Sequence, residues 1–184
     1  MDAERSGGFD RIADLPDDDS REKEVYARYG LAMFHAHAFE HGMITLITAS
    51  VTAQHAQAQT RDGANAFNEL VDELYRRTAG QLLARLRENP GLTTPLDNLL
   101  KDALGVRNRL AHGWFRKNGL GFGSADGMQA MVDDLDRATE IFQAASVQAY
   151  GLAGQVFLSL GLGEHDIERV RDRLARLANA AAPE

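Results

Sequence analysis

A chain of 184 residues with 44% hydrophobic side chains is long enough to bury one full-sized core, and with no cysteine it has no disulfide framework, thiol nucleophile or cysteine zinc site. The formal charge of −7 argues against a uniformly basic nucleic-acid binder, but it is unevenly spread: residues 1–24 hold nine acids against four bases, whereas 101–117 hold Lys101, Arg107, Arg109, Arg116 and Lys117 against Asp102 alone. The polar opening MDAERSGGFD lacks the basic-then-apolar order of a secretory leader, so a cytoplasmic location is expected.

Residues 1–19, with Gly7, Gly8, Pro16 and the run Asp17 to Asp19, read as a flexible acidic lead-in to one domain over 20–184. Ser20 is the expected cap of a first helix. Val25, Tyr29, Ala32, Ala36, Phe39, Met43 and Leu46 recur at steps of four and three, which carries that helix to about Gln57. Tyr26, Met33 and Ile44 form a second apolar face on it, pointing to contact with another subunit. After a polar break at Thr60 to Gly63, one second helix is expected to bury Phe67, Val71, Leu74, Leu82 and Leu86. "ENPGLTTP" ends it, and Thr94 and Pro95 open a third helix over about 95–116. "KNGLGFGSADG" reads as a flexible glycine-rich connector. A fourth helix carries Met128, Met131, Leu135, Ala138, Phe142, Ala145, Ala149, Leu152 and Val156, and a last one over about 164–179 uses Ile167, Val170, Leu174 and Leu177.

Ile141 to Gly163 is free of charge and long enough to span a bilayer, yet it contains Gln143, Gln148 and Gln155; a buried helix, with no membrane partner, is the expectation. No segment alternates with period two. The expected fold is therefore all-α, an up-and-down bundle of four to five helices with short connections.

The third helix poses the chemical question. Leu96, Leu99, Leu100, Ala103, Leu104, Leu110, Ala111 and Trp114 share one broad stripe, and Arg107 falls in its middle. A charge there costs several kcal/mol, about that of an unpaired buried ion, unless a carboxylate or a ligand neutralises it. Asn108 and His112 lie one turn apart at the stripe's edge, continued by Lys101 and Gly105. An imidazole with a reference pKa near 6.5 can take the proton of a ribose 2′-hydroxyl. Arginine can hold the phosphate in its planar fork, asparagine can orient either group, and Gly105 lets a backbone approach. Neither a metal nor a cofactor is required. Arg109, Arg116 and Lys117 would add to the substrate-binding charge.

"RNRLAHGWF" resembles the Arg-polar-x3-His signature of the HEPN superfamily, and the surrounding "FEHGMITLI" and "GMQAMVDDLDRATEIFQAA" extend that resemblance over most of residues 20–150. The motif is similar to the "RNxLAHxFF" pattern of bacterial HEPN-like proteins. The resemblance implies an all-helical homodimer acting as a metal-independent endoribonuclease, in toxin-antitoxin pairs or phage defence, with an antitoxin or other regulatory protein as partner. It implies Arg107, Asn108 and His112 as the active-site set, His112 as general base or acid and Arg107 as transition-state clamp, leaving a 2′,3′-cyclic phosphate. Two other readings stay open: a non-catalytic HEPN-like dimeric module that binds nucleotide, RNA or protein, and a structural bundle in which Arg107 is salt-bridged.

Other candidates are weaker. His37 and His41 have an i, i+4 spacing that can chelate a metal, but no HExxH accompanies them, and a solvated or dimer-facing pair is expected. "GLGFGSADG" follows a helix and lacks Gly-Lys-Ser/Thr, so it does not read as a nucleotide cradle. "ERVRDRLARLA" reads as a solvated outer helix.

Overall fold

The computed structural model describes residues 11–57, 63–89, 91–162 and 172, with side chains at all of these except 55–57 and 63–68. Five α-helices follow one another, α1 (Asp18–Gln57), α2 (Gly63–Tyr75), α3 (Ala79–Arg87), α4 (Thr94–Asn118) and α5 (Ala125–Ser159), and no strand occurs among the described residues. The all-α bundle is as the periodicity indicates. The expected helix over 164–179, and the side chain of Phe67, lie outside the described residues.

Parallel packing of α1 and α5 forms the spine. Arg28 meets Asp136, His35 meets Gln143 and His41 meets Tyr150, at a near-constant sequence offset, so the two helices run side by side in the same direction. Their seam buries Val25, Ala32, Phe39, Met43 and Leu46 against Met131, Leu135, Phe142 and Ala149, with Phe39 stacked on Phe142 at 6.2 Å. The close approach depends on Gly42. A Cβ there would stand 3.3 Å from Ala149 Cβ, tighter than packed carbons normally tolerate. Gly42→Leu is expected to destabilise the fold by about 2–3 kcal/mol through overpacking. Gly151→Ala on α5, where a Cβ meets nothing within 4 Å, should instead stabilise by about 0.5–1 kcal/mol. Urea unfolding of the two variants measures both, and equal effects would contradict the tight seam.

Helix α4 runs antiparallel to α1. Phe115 packs near Tyr26, the Tyr29 hydroxyl donates to the Leu110 carbonyl at 3.2 Å, and Arg107 reaches Glu40. Leu96, Leu100, Ala103, Leu110 and Trp114 are buried as expected, but Ala111 is exposed.

Three local readings change. The acidic lead-in is packed from Ile12 onward: a 3-10 turn over Ile12–Asp14 places Ile12 and Leu15 in the core, and the Ile12 N–H donates to Gln129 Oε1 at 2.7 Å. The cap of α1 is Asp17, not Ser20. Its carboxylate accepts the Ser20 N–H at 2.7 Å, and that bond holds the carboxyl below its ordinary value. The single helix expected over 63–86 is two. Thr78 accepts the Gln81 N–H while the Gln81 side chain accepts the Thr78 N–H, a reciprocal capping box that starts α3 afresh.

The glycine-rich connector is a 3-10 helix, Gly119–Gly123, packed on the start of α5. Any Cβ at Gly127 would overlap the Gly121 backbone, so this close approach requires glycine at 127. At the far end of α5, Gly161 takes φ 76°, and the Leu162 and Gly161 N–H groups return to the Phe157 and Leu158 carbonyls. That left-handed cap stops the charge-free segment. Phe142, Ala145, Ala149, Ala153 and Phe157 face the core while Gln143, Gln148 and Gln155 are exposed. Among the described residues no helix is long and apolar enough to cross a membrane. The expected outer face of α1 is also revised: Ile44 is core and Met33 half-buried, whereas Tyr26, Leu31 and Phe34 are exposed.

Candidate functional site

Because α4 buries one side against α1 and α5, each motif residue's position is fixed by its angle around the helix. Lys101, Gly105, Asn108, His112 and Arg116 recur at steps of three and four and all are exposed, forming one outward face. Gly105 leaves that face open, since a Cβ there would meet nothing within 4 Å. The Arg116 guanidinium lies over Gly113, 3.7 Å from where a Cβ would stand, beside His112 in the chain.

Arg107 stands at the inner edge, with its side chain 26% exposed. Its Nε donates to Glu40 Oε1 at 2.6 Å, and Glu40 is itself 20% exposed. Nη1 lies 3.5 Å from Asn108 Oδ1, and Glu40 Oε2 lies 3.7 Å from His37 Nδ1. A polar chain His37, Glu40, Arg107, Asn108 thus crosses from α1 to α4. Holding the guanidinium by Nε leaves its terminal nitrogens at the Asn108 side, the edge that makes the two-point contact to an oxyanion.

The remaining basic residues do not join this face. Arg109 turns to α5, where its Nη1 donates to Asp134 Oδ2 at 2.6 Å; the same oxygen accepts Trp114 Nε1–H at 2.7 Å. Burial raises the Asp134 carboxyl, but the bonds from Arg109 and Trp114 and the nearby arginine charges outweigh it and hold the group below its ordinary value. Lys117 is exposed but, at about 100° per residue, stands roughly 140° around the helix from His112; Arg107 lies about as far round in the other direction, so one copy of α4 does not bring Arg107 and His112 onto one face.

Sequence reasoning missed Glu40, and it placed Tyr26 on an outer face of α1 without joining it to Phe115 of α4. Glu40 is the only acidic or basic residue, histidine aside, between Arg28 and Arg61, a signal that a specific partner holds it. Tyr26, 51% exposed, has its ring 6.1 Å from Phe115 and 5.7 Å from Phe122. The antiparallel register that joins Tyr26 to Phe115 sets Gly30 across from Ala111, and both residues are exposed, Ala111 next to His112 in the chain.

His37 and His41 line a different feature, an open cleft of about 640 Å³ whose walls include Phe34, Glu40, Leu74 and Tyr150. His41 Nδ1 lies 2.6 Å from the Tyr150 hydroxyl, and burial pushes the Tyr75 hydroxyl up to about 12. Among the described residues no cluster of three His, Asp or Glu side chains could hold a metal ion. Glu40 forms the wall between this cleft and Arg107.

Removing the Glu40 charge should strengthen anion binding on α4. If the anion is a nucleic acid, Glu40→Gln is expected to steepen the salt dependence of single-stranded oligonucleotide binding by about 0.7 in the log-log slope, one phosphate's worth of released counterion. Fluorescence anisotropy across a salt series checks this; an unchanged slope would mean that Arg107 does not meet the nucleic acid.

No family model matches the chain, and no curated protein or solved structure matches it either.

Proposed function

We propose that this chain is an HEPN-like, metal-independent endoribonuclease that works as a homodimer in a toxin or phage-defence setting, with an antitoxin or other regulatory protein as its natural partner. The observation that carries the reading is the division of labour on α4. Arg107 is gripped at Nε by Glu40, while the Asn108 amide and the His112 imidazole stand exposed one turn apart on the adjoining face.

In this reading His112 takes the proton from a ribose 2′-hydroxyl, and the 2′-oxygen attacks the neighbouring phosphorus. The bond from phosphorus to the 5′-oxygen breaks, the departing oxygen is protonated, and the products are a 2′,3′-cyclic phosphate and a 5′-hydroxyl. Arg107 would hold the non-bridging oxygens through its terminal nitrogens, where charge grows in the transition state. Asn108, 3.5 Å from Arg107 Nη1, keeps that edge aligned. Lys101 and Arg116 would bind flanking phosphates. A second copy, placing its own motif against this face of α4, would supply the acid for the departing oxygen.

The same ion pair favours a second reading without catalysis, either the structural bundle in which Arg107 is salt-bridged or the dimeric binding module, because Arg107 already has one carboxylate partner. Incubating the folded dimer with RNA in EDTA and analysing product ends separates the two. Cyclic-phosphate ends produced by the wild type support the nuclease, whereas RNA bound but left intact would replace it with the module.

A further inference from the structure

The aromatic cluster where the start of α1 meets the end of α4 is unusual in its exposure. Tyr26 is 51% exposed and Phe115 38%, although Tyr29 and Trp114 beside them are packed inward. The rings of Tyr26, Phe115 and Phe122 form a tilted row with centroids 6.1 and 5.7 Å apart, and three segments contribute to it: α1, α4 and the 3-10 helix. Phe115 follows His112 by three residues and Arg116 by four, so ring and guanidinium flank the imidazole on the next turn of α4.

We infer that Tyr26 and Phe115 form a stacking platform for an unpaired base of single-stranded RNA, one helical turn along α4 from His112. This rests on the ribonuclease reading and names its substrate class. An exposed ring gives a base a flat apolar surface at low entropic cost, and it tolerates any base because every base has a π-face. Charge favours nucleic acid over a protein helix as the occupant. Lys101 and Arg116 on the same face form no ion pair among the described residues, and a backbone tracking them would carry a base onto the rings. The surface at Gly30 leaves room for a ribose, since a Cβ there would meet nothing within 4 Å. Duplex RNA keeps its bases stacked on one another and presents none to such a platform.

The test is anisotropy of a fluorescein-labelled 2′-O-methyl oligonucleotide, which cannot be cleaved, against the same backbone with abasic positions. Wild type should bind the base-bearing strand more tightly, and Tyr26→Ala should weaken that binding about tenfold while leaving the abasic strand unchanged. Tyr26→Trp should retain affinity and show quenched emission from the new indole on binding. Equal losses for both strands, or no loss for either, would overturn the platform while leaving the nuclease reading standing. Preference for duplex RNA would overturn it too. A Tyr26→Ala protein that sediments as a monomer, with base-bearing and abasic strands bound alike, would instead make the aromatic row a subunit interface. Bases bound through Tyr26 without any cleavage of an ordinary RNA would keep the platform and remove the nuclease.

Discussion

His112→Ala is expected to lower RNA cleavage by about 10²–10⁴-fold, the contribution of a positioned general base, while leaving the fold intact. The second half of that statement follows from exposure: His112 stands on the outer face of α4 and packs into no part of the core, so the unfolding free energy should move by no more than about 0.5 kcal/mol. Arg107→Lys should separate positioning from charge. Lysine keeps the cation but has no Nε to donate to Glu40 and no planar edge to present beside Asn108, so a loss of about 10²-fold is expected despite the conserved charge. Single-turnover cleavage with product-end analysis measures both, alongside circular dichroism and sedimentation to show that each variant is folded. Undiminished cleavage by His112→Ala would sink the assignment outright. A loss in Arg107→Lys confined to KM would reduce Arg107 to a binding residue.

How far the sequence discloses this arrangement depends on which physical signal each residue carries. The helices were legible because apolar residues at steps of three and four, such as Val25, Ala32, Phe39 and Met43, have only one face on which to be buried. The break at Thr78 was legible in principle, as Thr-x-x-Gln is a capping signature, but Leu74 and Leu82 keep the apolar period across it and mask the interruption. The outward grouping of Asn108 and His112 follows from their spacing alone. The partner of Arg107 does not, because Glu40 lies 67 residues earlier and meets it only through the antiparallel packing of α1 on α4. Even so, Glu40 is the one charge of its apolar run and Arg107 falls in the middle of the apolar stripe of α4, so each is costly alone and pairing them is the cheapest solution. The direction of Arg109 was illegible for another reason: it depends on the Trp114 indole needing an acceptor, and that acceptor is on α5.

That shared acceptor is where a large structural loss is expected. Asp134→Ala should destabilise the protein by about 2–3 kcal/mol, since it leaves the N–H of a Trp114 side chain that is 1% exposed without a partner and strips Arg109 of its carboxylate. Most of the cost belongs to the indole; Arg109 is 37% exposed, and water can replace part of what it loses. Asp134→Asn should cost about 1 kcal/mol, because its amide oxygen still accepts one of the two donors. The two variants also differ in how they compare with wild type as acid is added. Folding holds the Asp134 carboxyl below its ordinary value of 3.8, so the unfolded chain takes up the proton first. The advantage of wild type over Asp134→Asn is therefore full well above pH 3.8 and declines as pH falls through 3.8 toward the lower folded value. Trp114 is the only tryptophan in the chain, so its emission follows unfolding in urea at each pH and reports the indole's own surroundings. A gap between the two proteins that stayed constant from neutral pH into that range would show that the charge on Asp134 contributes nothing. Trp114 would then be held by packing alone, and the orientation of α4 that turns Asn108 and His112 outward would rest on the leucines and Ala103 rather than on this anchor.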